Sequence, residues 1–159
     1  MKKTIMLVLG GGGHTKQLLI LSDKLKEKYR IEYVIKKGGK KGKKRLEGKI
    51  FRILNPRPMD DANIFKTILR LFPYTFQAIK ILAKSQAKAI IICGPAISTP
   101  IAFLGKIFFR KKLIFIESWS RVKSKSLSGR LIENFSDKIF IQWRKNKNYP
   151  KAIFAGRLG

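Results

Sequence analysis

Residues 4–15, TIMLVLGGGGHT, constrain the fold of this chain more than any other stretch. The apolar run 4–9 is short and does not alternate with polar residues, so it reads as a strand buried on both faces. It stops at four consecutive glycines, Gly10 to Gly13. Glycine is costly inside regular structure and serves where a backbone must turn tightly or approach another group closely. Beyond the glycines, HTKQLLILSDKLKEKY (14–29) places Leu18, Leu19, Leu21 and Leu25 near helical spacing. A buried strand that passes through glycines into a helix is the opening unit of a parallel α/β sheet.

The remainder keeps that alternation. Apolar runs at 31–35, 50–54, 89–93, 112–117, 138–143 and 151–156 read as strands, and 63–84, 94–109 and 127–136 as helical stretches. Pro73 should kink or divide the second helix, since proline lacks the amide donor for the preceding turn. Between two strands lies KKGGKKGKKRLEGK (36–49), glycine-rich and without apolar period, which reads as a mobile basic loop carrying Lys40, Lys41, Lys43 and Lys44. With 159 residues there is room for one domain, 1–159: an α/β, Rossmann-like open parallel sheet. In such sheets ligands sit beyond the carboxyl ends of the strands.

Three turns should meet at that edge. At the first, the backbone amides of Gly11, Gly12 and Gly13 open a helix whose positive dipole end favours an anion, with Thr15 as a cap or oxygen ligand. The turn is neither a Walker A loop, since no Gly-Lys-Ser/Thr follows, nor a good dinucleotide fingerprint, since Thr15 stands where its third glycine belongs. His14 is the only histidine. Its ordinary pKa of about 6.5 suits proton exchange near neutrality, so it reads either as a general base toward a hydroxyl or as a hydrogen-bond donor to a diphosphate. The second turn, CGPAISTP (93–100), contributes Gly94, Pro95, Ser98 and Thr99. The third, ESWSRVKSKSLSGRL (117–131), begins with Glu117 at a strand end, readable as a site carboxylate or as a local counter-ion. It continues with Arg121, Lys123, Lys125 and the hydroxyls of Ser124, Ser126 and Ser128, a set suited to oxyanions, Ser126 also capping the helix that follows. No Ser-His-Asp order, paired carboxylates or metal-ligand cluster can be assembled from the sequence.

Charge narrows the partners. Thirty-six Lys and Arg against nine Asp and Glu give a formal net charge of +27. Such a chain attracts polyanions: nucleic acid, anionic lipid headgroups or phosphorylated substrates. A basic nucleic-acid-binding domain and a self-sufficient nucleotide-dependent enzyme are the rival readings. No recognisable base-reading motif is present, so nucleic acid is disfavoured as a partner. The single cysteine, Cys93, rules out an internal disulfide and suits a reducing compartment. No run approaches the roughly 20 apolar residues of a membrane-spanning helix, so a peripheral position on the cytoplasmic face of a membrane is expected. Basic residues of 36–49 and apolar ones of 63–84, among them Phe65, Leu69, Phe72 and Phe76, would make that contact, unless the helix is ordinary core.

The blocks LGGGGHT (9–15), CGPAISTPI (93–101), IESWSRVKSKSLSGRL (116–131), IQW (141–143) and YPKAIFAG (149–156) occur in an order that resembles one family. It is the anchoring subunit of the two-component glycosyltransferase that adds the second N-acetylglucosamine to a dolichyl-diphosphate sugar, with related prokaryotic polysaccharide-synthesis subunits. The resemblance implies the acceptor-binding, N-terminal half of a GT-B enzyme. A separate donor-binding subunit would carry the UDP-sugar, so this chain is expected to bind no cofactor and to be inactive alone. By the same resemblance, His14 and Gly11–Gly13 face the acceptor diphosphate or the reacting hydroxyl, and Glu117 and Arg121 line the cleft as candidate catalytic and binding groups. Arg57, in NPRPMDD (55–61), matches an arginine of the family's acceptor side. Trp143 and the tail 149–159, including Tyr149, Pro150 and Gly156, are expected to hold the partner subunit.

Overall fold

A computed structural model describes residues 2–38, 46–54, 64–94, 98–146 and 148–158, with the side chains of 64–70 left undescribed. Seven strands form one sheet: β1 (Thr4–Leu9), β2 (Arg30–Lys36), β3 (Lys49–Ile53), β4 (Ala89–Cys93), β5 (Lys112–Ile116), β6 (Lys138–Ile141) and β7 (Ile153–Phe154). Their spatial order is β3-β2-β1-β4-β5-β6-β7. Every pairing is parallel, with Met6 opposite Glu32 on one side of β1 and opposite Ile90 on the other. The order reverses between β1 and β4, so the crevice for a ligand opens there.

Among the described residues four helices connect the strands: α1 (Gly12–Leu25), α2 (Ile64–Lys84), α3 (Ser98–Ile107) and α4 (Leu127–Ile132). Because strand side chains alternate, β1 feeds two cores. Ile5, Leu7 and Leu9 pack with Leu18 of α1, while Met6 and Val8 join Tyr74, Ala78, Ile101, Ala102 and Ile132 of α2, α3 and α4. The sheet therefore carries α1 on one face and α2–α4 on the other. On the α1 face no helix covers β5 and β6 among the described residues. The C-terminal residues Ala155–Leu158 run there instead, beside an apolar groove of about 460 Å3 lined by Ile114, Ile116 and Phe140.

Several boundaries differ from the sequence expectation. The first helix begins at Gly12 and not at His14, so two glycines and the histidine form its opening turn. Lys36 ends β2 and Lys49 starts β3, which narrows the expected basic loop from both sides; Lys40, Lys41, Lys43 and Lys44 lie outside the described residues. Pro73 does not divide α2. It lies on the solvent side, where the carbonyl it leaves unbonded can be hydrated. The helical stretch expected over 127–136 stops at Ile132, because the Ile132 carbonyl accepts from the Phe135 amide and from both the amide and hydroxyl of Ser136. The last two strands are shorter than expected, ending at Ile141 and Phe154. Among the described residues no helix is long and apolar enough to cross a membrane.

Candidate functional site

The glycine turn works as a bare helix terminus. Gly11 is the N-cap of α1 at φ 121°, ψ 163°, and Gly12 follows at φ 59°, conformations that a side chain would strain. No side chain caps the helix, and its first turn contains no acid. The Gly11 amide donates to Thr15 Oγ1 at 2.7 Å, so Thr15 closes the turn from within, and its hydroxyl proton is left to donate elsewhere. The amides of Gly12, Gly13 and His14, like other first-turn amides, have no acceptor within the helix and are available to an anion.

His14 sits half-buried at this terminus, and three chain segments meet around it. Its ring lies against Gly94, where a Cβ would overlap the imidazole, and Gly94 has φ +80°. Its Nδ1 is 3.9 Å from Cys93 Sγ. Burial pushes the His14 pKa below its ordinary value; the nearby Glu117 carboxylate opposes this and the Arg121 guanidinium adds to it. The imidazole is therefore neutral at pH 7, the form that accepts a proton. Burial also pushes the Cys93 thiol up to about 12, so it is no nucleophile at neutral pH.

Glu117 behaves differently from the sequence expectation. It lies just past β5, is 1% exposed, and does not line the cleft. Its Oε1 accepts from the Ser118 amide at 2.8 Å. Its Oε2 accepts from the Ser126 amide at 2.9 Å, from the Ser126 hydroxyl at 3.1 Å and from the Tyr149 hydroxyl. Four donors on a carboxylate this deeply buried close the 118–126 loop on itself. Gly129 is required beside it, since a Cβ there would overlap the Tyr149 hydroxyl. Tyr149, expected at the partner surface, is buried beneath the loop, and burial together with Glu117 drives its phenol pKa well above the ordinary value.

The loop is pinned from below by residues that the sequence did not single out. Asn146 Nδ2 donates to the carbonyls of Arg121 at 3.0 Å and Ser124 at 3.2 Å, and Asn148 Nδ2 to Lys123 at 2.6 Å. With their carbonyls held, Arg121, Lys123 and Ser124 direct exposed side chains outward. Lys125 is not free for a ligand: it pairs with Glu133 at 2.5 Å. Ser126 caps α4 by accepting from the Gly129 amide at 3.0 Å, and Ser128 donates to the Gly94 carbonyl. Gly94 thereby joins the second turn to both others.

Two further residues complete the mouth. Trp119, about half exposed, has its indole nitrogen 3.7 Å from where a Cβ of Gly13 would stand. Its carbonyl accepts from the Trp143 indole at 2.5 Å, and its amide reaches Gln17 Oε1 at 3.4 Å. Trp143 thus supports the loop and packs under Arg157, whose guanidinium is 4.5 Å from its ring. Gln17 also accepts from Gln142 Nε2 at 2.5 Å, and Gln142 Oε1 receives the Leu158 amide at 2.9 Å, tying the C-terminal tail to the floor of the site. Gln17 and Asn146 carried no sequence signal, because an isolated amide side chain has no period or spacing; Gln142 was visible only as part of IQW. Thr99 Oγ1, in the first turn of α3, is buried and finds no hydrogen-bond partner among the described residues. Ser98 is buried next to it. Pro150 and Gly156 are exposed along the tail. Arg57 and Pro95 lie outside the described residues, as do the side chains of Phe65 and Leu69. Among the described residues no three His, Cys, Asp or Glu side chains converge as a metal site would require.

The turn, its lone imidazole and the pinned loop lie within one stretch of matching sequence. The family of oligosaccharide-biosynthesis proteins like Alg14 matches over residues 5–158. The chain belongs to the Alg14-like family. It is 26% identical over 178 aligned positions to the rat UDP-N-acetylglucosamine transferase subunit ALG14, covering 97% of this chain and 82% of that protein. It is also 27% identical to a Rickettsia bellii transferase that adds N-acetylglucosamine to N-acetylmuramyl-(pentapeptide) pyrophosphoryl-undecaprenol, covering 96% of this chain and 42% of that protein. Among solved structures, Acinetobacter baumannii MurG superposes with a TM-score of 0.73 at 12% identity, over 99% of this chain and 44% of that one. The fold is thus that of a single GT-B-type sheet domain as in MurG, and this chain spans less than half of the MurG chain.

Proposed function

We propose that this chain is the acceptor-binding subunit of a heteromeric glycosyltransferase, taking a lipid diphosphate-linked saccharide and receiving N-acetylglucosamine from a UDP-sugar held by a separate donor-binding subunit. The observation that carries this reading is the half-buried His14 imidazole, held against Gly94 next to the uncapped amides of Gly12 and Gly13. The amides and the helix dipole take the diphosphate, with Arg121 and Lys123 as mobile counter-charges from the pinned loop. His14 Nε2 accepts the proton of the acceptor hydroxyl as that oxygen attacks the anomeric carbon, and UDP leaves on the other subunit. The relatives named as transferase subunits support dependence on a partner. UDP is bound by that partner, and no cofactor by this chain. A lipid-borne acceptor places the protein at a membrane surface, on the cytoplasmic face, to which its net charge of +27 would draw it.

The test is transfer to a synthetic lipid diphosphate-linked N-acetylglucosamine by the chain co-expressed with its donor-binding subunit. His14→Ala should lower kcat by about 100-fold or more, the usual weight of a general base. Unchanged kcat in a folded variant overturns the role of His14, and UDP-sugar turnover by the isolated chain overturns dependence on a partner.

A further inference from the structure

We infer that the Trp119 indole is the platform on which the pyranose ring of the acceptor stacks, a reading that rests on the acceptor site proposed above and names the group that reads its sugar. The chain has two tryptophans, and the fold uses them differently. The Trp143 indole N–H donates to the Trp119 carbonyl at 2.5 Å, and the Arg157 guanidinium covers its ring. Trp119 is 52% exposed, and among the described residues no aromatic ring or cation stacks on it.

Exposure alone would mean little, since single apolar side chains are common on protein surfaces. What sets Trp119 apart is how firmly its backbone is held beneath an open side chain. The Arg121 amide donates to the Ser118 carbonyl at 2.9 Å, which closes a turn with Trp119 and Ser120 at its corner. The Ser118 and Ser120 hydroxyls meet at 3.0 Å within that turn. The Trp119 amide reaches Gln17 Oε1 at 3.4 Å, its carbonyl receives the Trp143 indole, and the preceding amide, that of Ser118, is held by the buried Glu117 carboxylate at 2.8 Å. Ordering a loop on binding costs conformational entropy. Here the backbone is fixed before any ligand arrives, which is the arrangement of a preorganised binding surface.

The position of the ring points to its ligand. The indole nitrogen lies 3.7 Å from where a Cβ of Gly13 would stand, so the ring borders the bare terminus of α1 directly. His14, the next residue, is held against Gly94. A sugar diphosphate carries its pyranose one ester oxygen away from phosphate, and a phosphate on the α1 amides therefore brings the sugar to Trp119. Pyranose faces present C–H groups, which pack on the electron-rich face of an aromatic ring, and the indole N–H remains to donate to a hydroxyl or phosphate oxygen. With the phosphate anchored and one ring face pressed on a fixed plane, the sugar keeps a single tilt. The indole thereby helps to select which hydroxyl meets His14 Nε2.

Two soluble probes that share a phosphate ester and differ in the ring, N-acetylglucosaminyl diphosphate and methyl diphosphate, isolate the contribution of the sugar when titrated calorimetrically into the full chain. Wild type should bind the sugar probe about tenfold more tightly, the weight of covering one ring face. Trp119→Ala should bring the two affinities together while keeping the methyl diphosphate affinity and melting temperature of wild type. Trp119→Phe, which retains a ring, should recover most of the difference. In the transferase reconstituted with its donor-binding subunit, Trp119→Ala should raise KM for the lipid acceptor by about tenfold and leave KM for the UDP-sugar unchanged. Wild-type discrimination by Trp119→Ala, or an equal loss for both probes, overturns the platform. A raised KM for the UDP-sugar or weakened subunit assembly, with acceptor KM unchanged, gives the indole to the partner subunit and overturns it too. Wild-type binding of methyl diphosphate with no gain from the sugar overturns the platform and leaves the acceptor site standing, whereas a wild type that binds neither probe overturns both.

Discussion

Replacing Glu117 by Gln separates a scaffold carboxylate from a catalytic one. The side chain is 1% exposed and receives four hydrogen bonds, three on Oε2 and one on Oε1. Hydrogen bonds to a charged acceptor contribute about 1.5–3 kcal/mol each, against about 0.5–1.5 for neutral pairs. Glutamine can keep its oxygen on the three-donor side, which weakens those bonds by about 1 kcal/mol each. Its NH2 then faces the Ser118 amide, donor against donor, at a further cost of about 1–3 kcal/mol. Relief from burying a charge offsets part of this sum, leaving a net loss of about 3 kcal/mol. For a chain of this size that is a fall in Tm of about 6–12 °C. Tyr149→Phe removes one of the four bonds and should cost about 1.5–3 kcal/mol, less than additively with Glu117→Gln because the two residues share that bond. Thermal unfolding followed by circular dichroism on the two single variants and the double reads all three quantities. A Glu117→Gln chain that melts with wild type refutes the scaffold role, and one that does so while losing transfer shows the carboxylate acting on substrate after all.

The pH profile of the reconstituted transferase gives an independent reading of His14. Because burial lowers its pKa from 6.5, the neutral base persists below that value, and the acid limb of kcat/KM should fall with a midpoint under pH 6.5. The same shift makes His14 contribute stability that is complete above pH 6.5 and lost as pH falls through the lower folded pKa; His14→Gln should flatten that part of the stability profile. Gly94→Ala should cost about 2–4 kcal/mol in denaturant unfolding, because the methyl overlaps the His14 ring at a backbone φ of +80°. If His14 instead swings away without loss of stability, the interlock at Gly94 is disproved.

The opening strand, the glycine turn and the alternation that produces a parallel sheet were legible because each is a local pattern. Apolar runs such as 89–93 have nowhere to go but the interior, and four glycines before an amphipathic stretch report the turn they permit. The same locality explains the errors. Glu117 stands at a strand end, where a carboxylate reads as catalytic, yet its donors arrive from Ser126 and Tyr149, distant along the chain. Tyr149 reads as a surface residue of a C-terminal tail, and its burial depends on a gap that only Gly129 leaves. Asn146 and Gln17 gave no signal, since their importance lies wholly in which carbonyls and amides they meet.

By itself, then, the sequence determined the architecture, the anion-seeking turn with its lone histidine, and an electrostatic character suited to phosphorylated or membrane-borne partners, all consequences of periodicity, backbone freedom and summed charge. The tertiary structure alone decided which polar groups stay open at the strand edge and which are consumed in holding the loop. Hydrogen-bond satisfaction is a property of neighbours in space, and two carboxylates with the same local sequence can be a catalyst or a clasp depending on how many donors surround them.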